Sequence, residues 1–279
     1  MMVQHYKNAV GATAPFRAAT IKGLATHTAD EAGPAAGPDY GYGWGLMNTK
    51  SAAALITLHA ASGTALRNIK QTVLSNSDLI EFPVRAAGGG ALKVTICWTD
   101  PAGTVATKAV DANTASLVND LDLRLITGGT THFPWKLNPA SPTSSATNSG
   151  DNDRDNVEQV YVASPTVGQS FTVRVMHKGT LKNAAGATAT QPVSIIISGI
   201  QTTPEIEFRC TDVSRTGVNT YTVKWNSVVG VTYRLQNSTD LANWSDLTGD
   251  FVATKTETAG DVANSTGEGK RFWRAKRLP

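Results

Sequence analysis

The sequence predicts a mainly β protein that opens with helices, and three observations carry that prediction. Residues 1–62 place their apolar side chains at helical spacing in alanine-rich stretches. From about residue 66 the spacing falls to two, with Val, Thr and Ile between Gly-rich turns, and a second alternating stretch follows TTPE at 202–205. These divide the 279 residues into a helical segment at 1–62, a jelly-roll β-sandwich at 63–201 and a small β-sandwich at 206–279. A single hydrophobic core seldom grows to that length, so more than one is expected.

The first helix is expected to end in VQHYK. In PFRAATIKGLATHTAD, Pro15 is placed at a second helix start, Phe16, Ala19, Leu24 and His27 fall near one side, and Gly33 with Pro34 closes the segment. A third helix begins at Asn48, whose side-chain oxygen can take an orphan backbone N–H, and runs through AAALITLHAA. Three apolar helix faces need a partner layer, and the segment holds nothing β-like to supply one.

In the middle segment the strands expected are NIKQTVLS, LIEFPVR, ALKVTICWTD, SLVNDLDLRLIT, NVEQVYVAS, SFTVRVMHK and PVSIIISGI. Short strands joined by loops fit one antiparallel sandwich or jelly roll. Only 128–156 lacks a strand pattern, and a loop of that length is either functional or floppy. In the last segment IEFRCTDV, NTYTVKWNSV, VTYRLQNSTD, a strand around FVATKTET and KRFWRAKRL alternate. Trp225, Tyr233, Leu235, Trp244 and Phe272 are its core candidates.

The composition, 41% hydrophobic and 17% charged, is that of a globular chain, and a net charge of +3 singles out neither nucleic acid nor an anionic membrane as partner. Apolar runs such as VSIIISGI are too short to span a bilayer, and the start MMVQHYKN shows no secretory signal. Cys97 and Cys210 are too few for a disulfide framework and fall in different segments, so no bridge between them is expected. Both lie within strands rather than at helix starts, where a thiolate would be stabilised. No G-x-S-x-G occurs, and His5, His27, His59, His132 and His177 stand in contexts with ordinary structural explanations.

Side chains gather with chemical purpose in GDNDRDNVEQV. Asp151, Asp153 and Asp155 repeat at intervals of two with Glu158 nearby, a concentration of hard oxygen donors for which calcium is the natural ion. The loop is not an EF-hand, because Asn156 holds the glycine position and Val162 the position of the bidentate glutamate. The competing reading is a solvated acidic turn pinned by Arg154. In SLVNDLDLRL, alternation puts Leu121, Leu123 and Leu125 on one face and Asp120, Asp122 and Arg124 on the other. The two carboxylates stand about 7 Å apart along the strand, wide for one ion, and are expected to receive Arg154 or loop N–H groups.

GPDYGYGWGLMNTKSAAAL at 37–55 reads as a junction, with glycines at 41, 43 and 45 that permit positive φ and close backbone approach. The succession VQHYK, PFRAATIKGLATHTAD, GPDYGYGWGLMN and SAAAL resembles the end of the catalytic domain of the subtilisin-like serine proteases, or subtilases. Gly43, Gly45, Asn48 and Ala52 match the closing G-x-G-x-x-N-x-x-x-A pattern. LKVTICWTDPAG, SLVNDLDLRL and DNDRDNVEQVYV are similar to the jelly roll that follows the protease domain in one alkaline branch, so the resemblance covers residues 1–201. It implies that the opening helices are a remnant of the subtilase α/β domain. The G-T-S-M-A-x-P serine motif and the aspartate and histidine motifs are not in this chain, so the resemblance assigns it no catalytic residue. The parent would be a secreted endopeptidase acting on protein substrates, with this chain inert and its β domains stabilising or targeting the protease. The resemblance also favours calcium at 151–158.

VKWNSVVGVTYRLQNSTDLANWSDLTG with RFWRAKRL resembles a small fibronectin-like sandwich found at the ends of many secreted bacterial proteins. Five of the eight residues 270–277 are Lys or Arg, which reads as protection of an edge strand. A second functional reading is a non-catalytic extracellular protein whose sandwiches bind carbohydrate or a surface, with Trp244 or Trp273 facing the sugar. The two readings differ at the opening helices. A protease remnant predicts a contiguous apolar surface there, and cover by the jelly roll counts against it.

Overall fold

The computed structural model describes every residue except 12, 62–67, 106, 109, 111–113, 202–209, 228–230, 264–270 and 279. The chain forms two compact units, 1–202 and 203–279.

Among its described residues the first unit has eight strands. β1 (Ile69–Leu74), β2 (Ile80–Arg85), β3 (Leu92–Trp98), β4 (Asp120–Thr127), β5 (Thr130–His132), β6 (Val157–Val162), β7 (Ser170–Lys178) and β8 (Gln191–Ser198) pair antiparallel in two four-stranded sheets. Their orders are β1-β8-β3-β6 and β2-β7-β4-β5, the arrangement of an eight-stranded jelly roll. All seven expected strands form; β5 is the short addition, within the stretch that showed no strand pattern. Period-two alternation sends Leu121, Leu123 and Leu125 inward, where they meet Leu92, Val94, Ile96 and Trp98 of β3 and Phe171, Val173 and Val175 of β7 in one core.

Three helices precede the sheets: α1 (Met2–Val10), α2 (Ala18–His27) and α3 (Thr49–Ala61). Asn48 caps α3 as expected, its Oδ1 accepting the Ser51 N–H at 2.8 Å. The second helix starts later than expected, with Arg17 as its N-cap, and ends at His27, before Gly33 and Pro34. The expectation that the helices find no partner layer within the chain is corrected here. The outer face of the β1-β8-β3-β6 sheet receives α2, which packs on β3 and β8. Gly23 makes the approach close, since a Cβ there would lie 2.5 Å from Ile196 Cδ1 and 3.3 Å from Cys97 Cβ. Leu24 of α2, Tyr6 of α1 and Leu55 and Ile56 of α3 then close over Ile69 and Ile196 in a second apolar cluster. Segment 1–62 and sandwich 63–201 therefore form one compact unit rather than standing apart.

Polar contacts complete this layer. The Thr20 hydroxyl meets Ser194 Oγ at 2.8 Å and donates to Gln71 Oε1 at 2.9 Å, and Arg17 Nη1 donates to the Thr72 carbonyl at 2.6 Å. The sheet face that carries the helices is thus partly hydrophilic, in contrast to the aliphatic interior.

The second unit has two three-stranded antiparallel sheets. β9 (Cys210–Arg215), β10 (Thr220–Asn226) and β13 (Glu257–Ala263) form one in the order β13-β10-β9, and β11 (Thr232–Ser238), β12 (Ser245–Val252) and β14 (Phe272–Arg277) form the other in the order β12-β11-β14. Trp225, Tyr233 and Leu235 are buried in the core as expected, with the Trp225 ring edge-on to Phe251 at 5.5 Å. Trp244 and Phe272 are only partly buried, and Trp273 and Ala275 are the residues of β14 that pack on the core. The strand expected around 251–258 straddles the end of β12 and the start of β13. Among the described residues no helix is long and apolar enough to cross a membrane.

Candidate functional site

The three motifs of the jelly roll, separated by up to 60 residues in sequence, meet in space. Asp100, in the turn after β3, accepts the backbone N–H groups of Val118 and Asn119 through its two carboxylate oxygens at 2.7 and 2.9 Å. The Asn119 carbonyl accepts the buried Trp98 indole N–H at 3.1 Å. Asn156 Nδ2 donates to the Trp98 carbonyl at 2.9 Å, and the Trp98 N–H donates to the Asn156 carbonyl at 3.2 Å. Asn119 also binds Lys182 and Gln191 through its side chain. Buried polar groups of this kind need partners, and here the motif residues supply them to one another. This is a junction that locks three chain segments together.

Beside it lies the charge cluster. Asp122 and Arg124 sit on the face of β4 away from the leucines and are nonetheless buried. Phe133 covers the guanidinium of Arg124 at 4.7 Å, a cation–π contact. Arg124 Nη2 pairs with Asp122 Oδ1 at 3.0 Å and with Asp151. Lys178, at the end of β7, reaches Asp151 at 2.9 Å, Asp122 at 3.1 Å and Asp120 at 3.3 Å. Three carboxylates thus share two cations. Burial pushes Lys178 down, but its hydrogen bonds to Asp151 and Asp122 outweigh that and hold it above the ordinary lysine value. Burial likewise raises Asp151, yet the Lys178 hydrogen bond and the Arg124 charge bring its carboxyl below the usual range. Asp120 goes the other way, because burial and the Asp122 charge exceed the help from Lys178.

The four residues expected to hold calcium do not share one focus. Asp151 faces Arg124 and Lys178, and Asp153 is exposed. Asp155 Oδ2 accepts the Asn152 Nδ2–H at 2.9 Å. Glu158 is fully buried on β6, where its Oε2 accepts the Leu123 N–H at 2.6 Å. Among the described residues no group of three or more His, Cys, Asp or Glu side chains is placed to hold a metal ion. Asp122 receives Arg124, which the alternation placed on its own face, and both Asp120 and Asp122 receive Lys178, a residue the sequence offered no reason to bring here.

Glu158 is the most constrained of these groups. Its Oε1 is buried without a protein hydrogen-bond partner. Burial, reinforced by the Asp122 charge against the Leu123 hydrogen bond, raises its carboxyl well above the ordinary glutamate value.

Among the described residues, the hydroxyl nearest a buried histidine does not form a Ser-His-Asp arrangement. A Ser–His contact does occur, between Ser198 Oγ and His27 Nε2 at 2.9 Å, but His27 Nδ1 meets Thr95 Oγ1 at 2.8 Å where a triad has a carboxylate. His27, the last residue of α2, is buried between that helix and the sheet, and burial with the nearby Lys93 charge lowers its pKa well below the free value. Cys97 and Cys210 are both free thiols, and burial pushes Cys97 up to about 11, which removes the thiolate needed for attack.

No protein-family model matches this chain, and no curated protein is similar to it.

Proposed function

We propose that the chain is the accessory, non-catalytic part of a secreted subtilisin-like serine endopeptidase, whose catalytic serine, histidine and aspartate lie outside it. Residues 1–61 with the jelly roll would brace the protease domain, and the terminal sandwich would position it. Protein substrates are bound and cut by the parent.

The observation that carries this reading is the surface of the GPDYGYGWGLMN junction. Tyr40, Tyr42, Leu46 and Met47 are between 51% and 69% exposed within eight residues, and Val3, Val10 and Leu58 of α1 and α3 add to the exposed apolar surface. Large side chains held out by so ordered a loop suit a surface made to be covered. The order is considerable: Asp39 Oδ1 accepts the N–H groups of Gly41 and Tyr42, Asn48 Nδ2 donates to Asp30, and Asp30 and Leu46 exchange backbone hydrogen bonds at 2.9 and 2.8 Å. The seat of α2 on the jelly roll weighs against the strongest form of the reading, in which all three helices lack a partner.

The reading is tested on the purified chain and on its gene. The chain is expected neither to hydrolyse casein nor to react with a fluorophosphonate, and an in-frame G-T-S-M-A coding sequence is expected upstream of the Met1 codon. Fluorophosphonate labelling of a serine in this chain, or an upstream region that encodes no such motif, would overturn it.

A further inference from the structure

We propose that a crevice on the helix-bearing side of the jelly roll binds one ring of a neutral saccharide. Trp44, from the glycine-rich junction, Trp135, from the loop after β5, and Tyr161, from β6, line it together with Lys93, Gln159 and Glu31. Its volume is about 210 Å³. At about 30 Å³ per water that is the room of roughly seven waters, suited to a single ring with its hydroxyls and below the 300–1,000 Å³ of pockets for larger organic ligands.

The walls are built before any ligand arrives. Trp135 and Tyr161 lie with ring centroids 6.4 Å apart at 33°, and the Trp135 N–H donates to the Gln159 carbonyl at 2.9 Å. Gly37, at φ +92°, presses its backbone onto one side of Trp135, where a Cβ would come within 2.8 Å of the ring. That loop is held in turn by Glu31, whose carboxylate accepts the N–H groups of Ala32, Gly33 and Gly37 at 2.9 to 3.0 Å. Thr95 Oγ1 accepts Gln159 Nε2–H at 3.0 Å, and Lys93 Nζ donates to the His27 carbonyl at 2.8 Å, so both polar groups of the floor are anchored.

The chemistry of the lining selects the ligand. Half-buried aromatic rings favour a flat face of C–H groups, and the ammonium of Lys93 and the carboxamide of Gln159 require a rim that hydrogen-bonds. A purely apolar ligand would exclude water from both and leave unmet the hydrogen-bonding capacity they do not spend on His27 and Thr95. A formally charged ligand would meet a like charge at Lys93 or at Glu31, which line the crevice with opposite signs. A pyranose satisfies each condition: C–H groups on its face, hydroxyls that donate and accept at its edge, and no charge. The crevice takes Gly37 and Trp44 from the same junction, but Tyr40, Tyr42, Leu46 and Met47, the side chains assigned above to a protease domain, do not line it, so substitutions in the crevice test it separately.

The test is titration of the full chain with cellohexaose, laminarihexaose, xylohexaose and hexa-N-acetylchitohexaose, read by calorimetry and by tryptophan fluorescence. At least one is expected to saturate with a Kd of about a millimolar or tighter and to shift tryptophan emission. Trp135→Ala and Tyr161→Ala are each expected to weaken it about tenfold or more, whereas Trp135→Phe and Trp244→Ala stay within about threefold of the parent chain. Thermal melts identify any variant that fails to fold, in which case Trp135→Leu or Tyr161→Leu, which keeps apolar volume but loses the ring, takes its place with the same expected loss. Failure of all four sugars to bind at about 10 mM overturns the proposal. So does binding that survives Trp135→Ala and Tyr161→Ala, binding lost only in Trp244→Ala, or equal binding of a hexagalacturonate or a hexaglucosamine.

Discussion

The backbone N–H of Leu123 donates to Glu158 Oε2 at 2.6 Å, tying the edge strand of one sheet to a strand of the other. β5 pairs only with residues Leu125–Thr127 of β4, so the N–H of Leu123 faces no strand on that side, and the glutamate supplies the acceptor the ladder lacks. The folded carboxyl has a raised pKa. Below about pH 4.3 it is protonated in folded and unfolded chains alike; as pH rises, the unfolded chain releases a proton that the folded one retains, and stability falls until the folded pKa is passed. Glu158→Gln keeps an acceptor and does not titrate. Its melting temperature is expected to match the parent near pH 4 and to exceed it at pH 8, by calorimetry. Glu158→Ala leaves the Leu123 N–H buried and unpaired and is expected to lose about 1–3 kcal/mol at either pH.

His27 gives the opposite slope. Its folded pKa is depressed, so its contribution is present above the unfolded value of about 6.5 and is lost as pH falls below it, when the unfolded chain takes up a proton that the buried ring refuses. Melting of the first unit is expected to drop between pH 7 and 5. His27→Gln should flatten that drop while lowering stability at pH 7 by about 1–3 kcal/mol, because Thr95 and Ser198 lose a well-placed partner.

At Gly45 of the glycine-rich junction it is backbone that leaves no room for a side chain. Its φ is +93°, and a Cβ would lie 2.1 Å from the Asp30 carbonyl oxygen, a backbone atom engaged with Leu46. Gly45→Ala is expected to destabilise the first unit by about 1–3 kcal/mol. Gly43, also at positive φ but facing open space, should cost less when replaced by Asn, which adopts that conformation more readily than most residues. Urea titration of the two variants checks the order.

Calcium is expected to leave the melting temperature unchanged at millimolar concentration, since Asp151 would have to abandon Arg124 and Lys178 to join a shared site. A ligand that binds only the native state must raise stability, so a calcium-dependent rise would show that the 151–158 loop rearranges around the ion.

The strands of the jelly roll were legible because successive side chains point to opposite faces: in SLVNDLDLRL the leucines enter the aliphatic core, while Asp122 and Arg124, also buried, take the other face. The site was legible only in part. Asp120, Asp122 and Asp151 could be named as acids in want of cations, but Lys178 stands on β7, and register rather than proximity in sequence brings it opposite Asp120. The seat of α2 was hidden for a different reason. Thr95, Cys97, Ser194 and Ser198 point outward with small or hydroxylated side chains that read as solvent-facing, and only the fold shows a helix lying on them. Trp135 and Tyr161 gave no signal at all, because nothing in a sequence sets a loop tryptophan beside a strand tyrosine.

The placement of β8 between β1 and β3 also bears on how the chain is made. Its register joins Ile69 to Ile196 and Lys93 to Ser198, so the middle of that sheet has no neighbour to close against until about residue 198 has left the ribosome. The helix that rests on β3 and β8 must wait as well, although its own residues are synthesised well before those of β8. Nascent chains shorter than this expose both the aliphatic interior and the underside of α2, so the interval before β8 arrives is the period of greatest exposure to chaperones and proteases during synthesis.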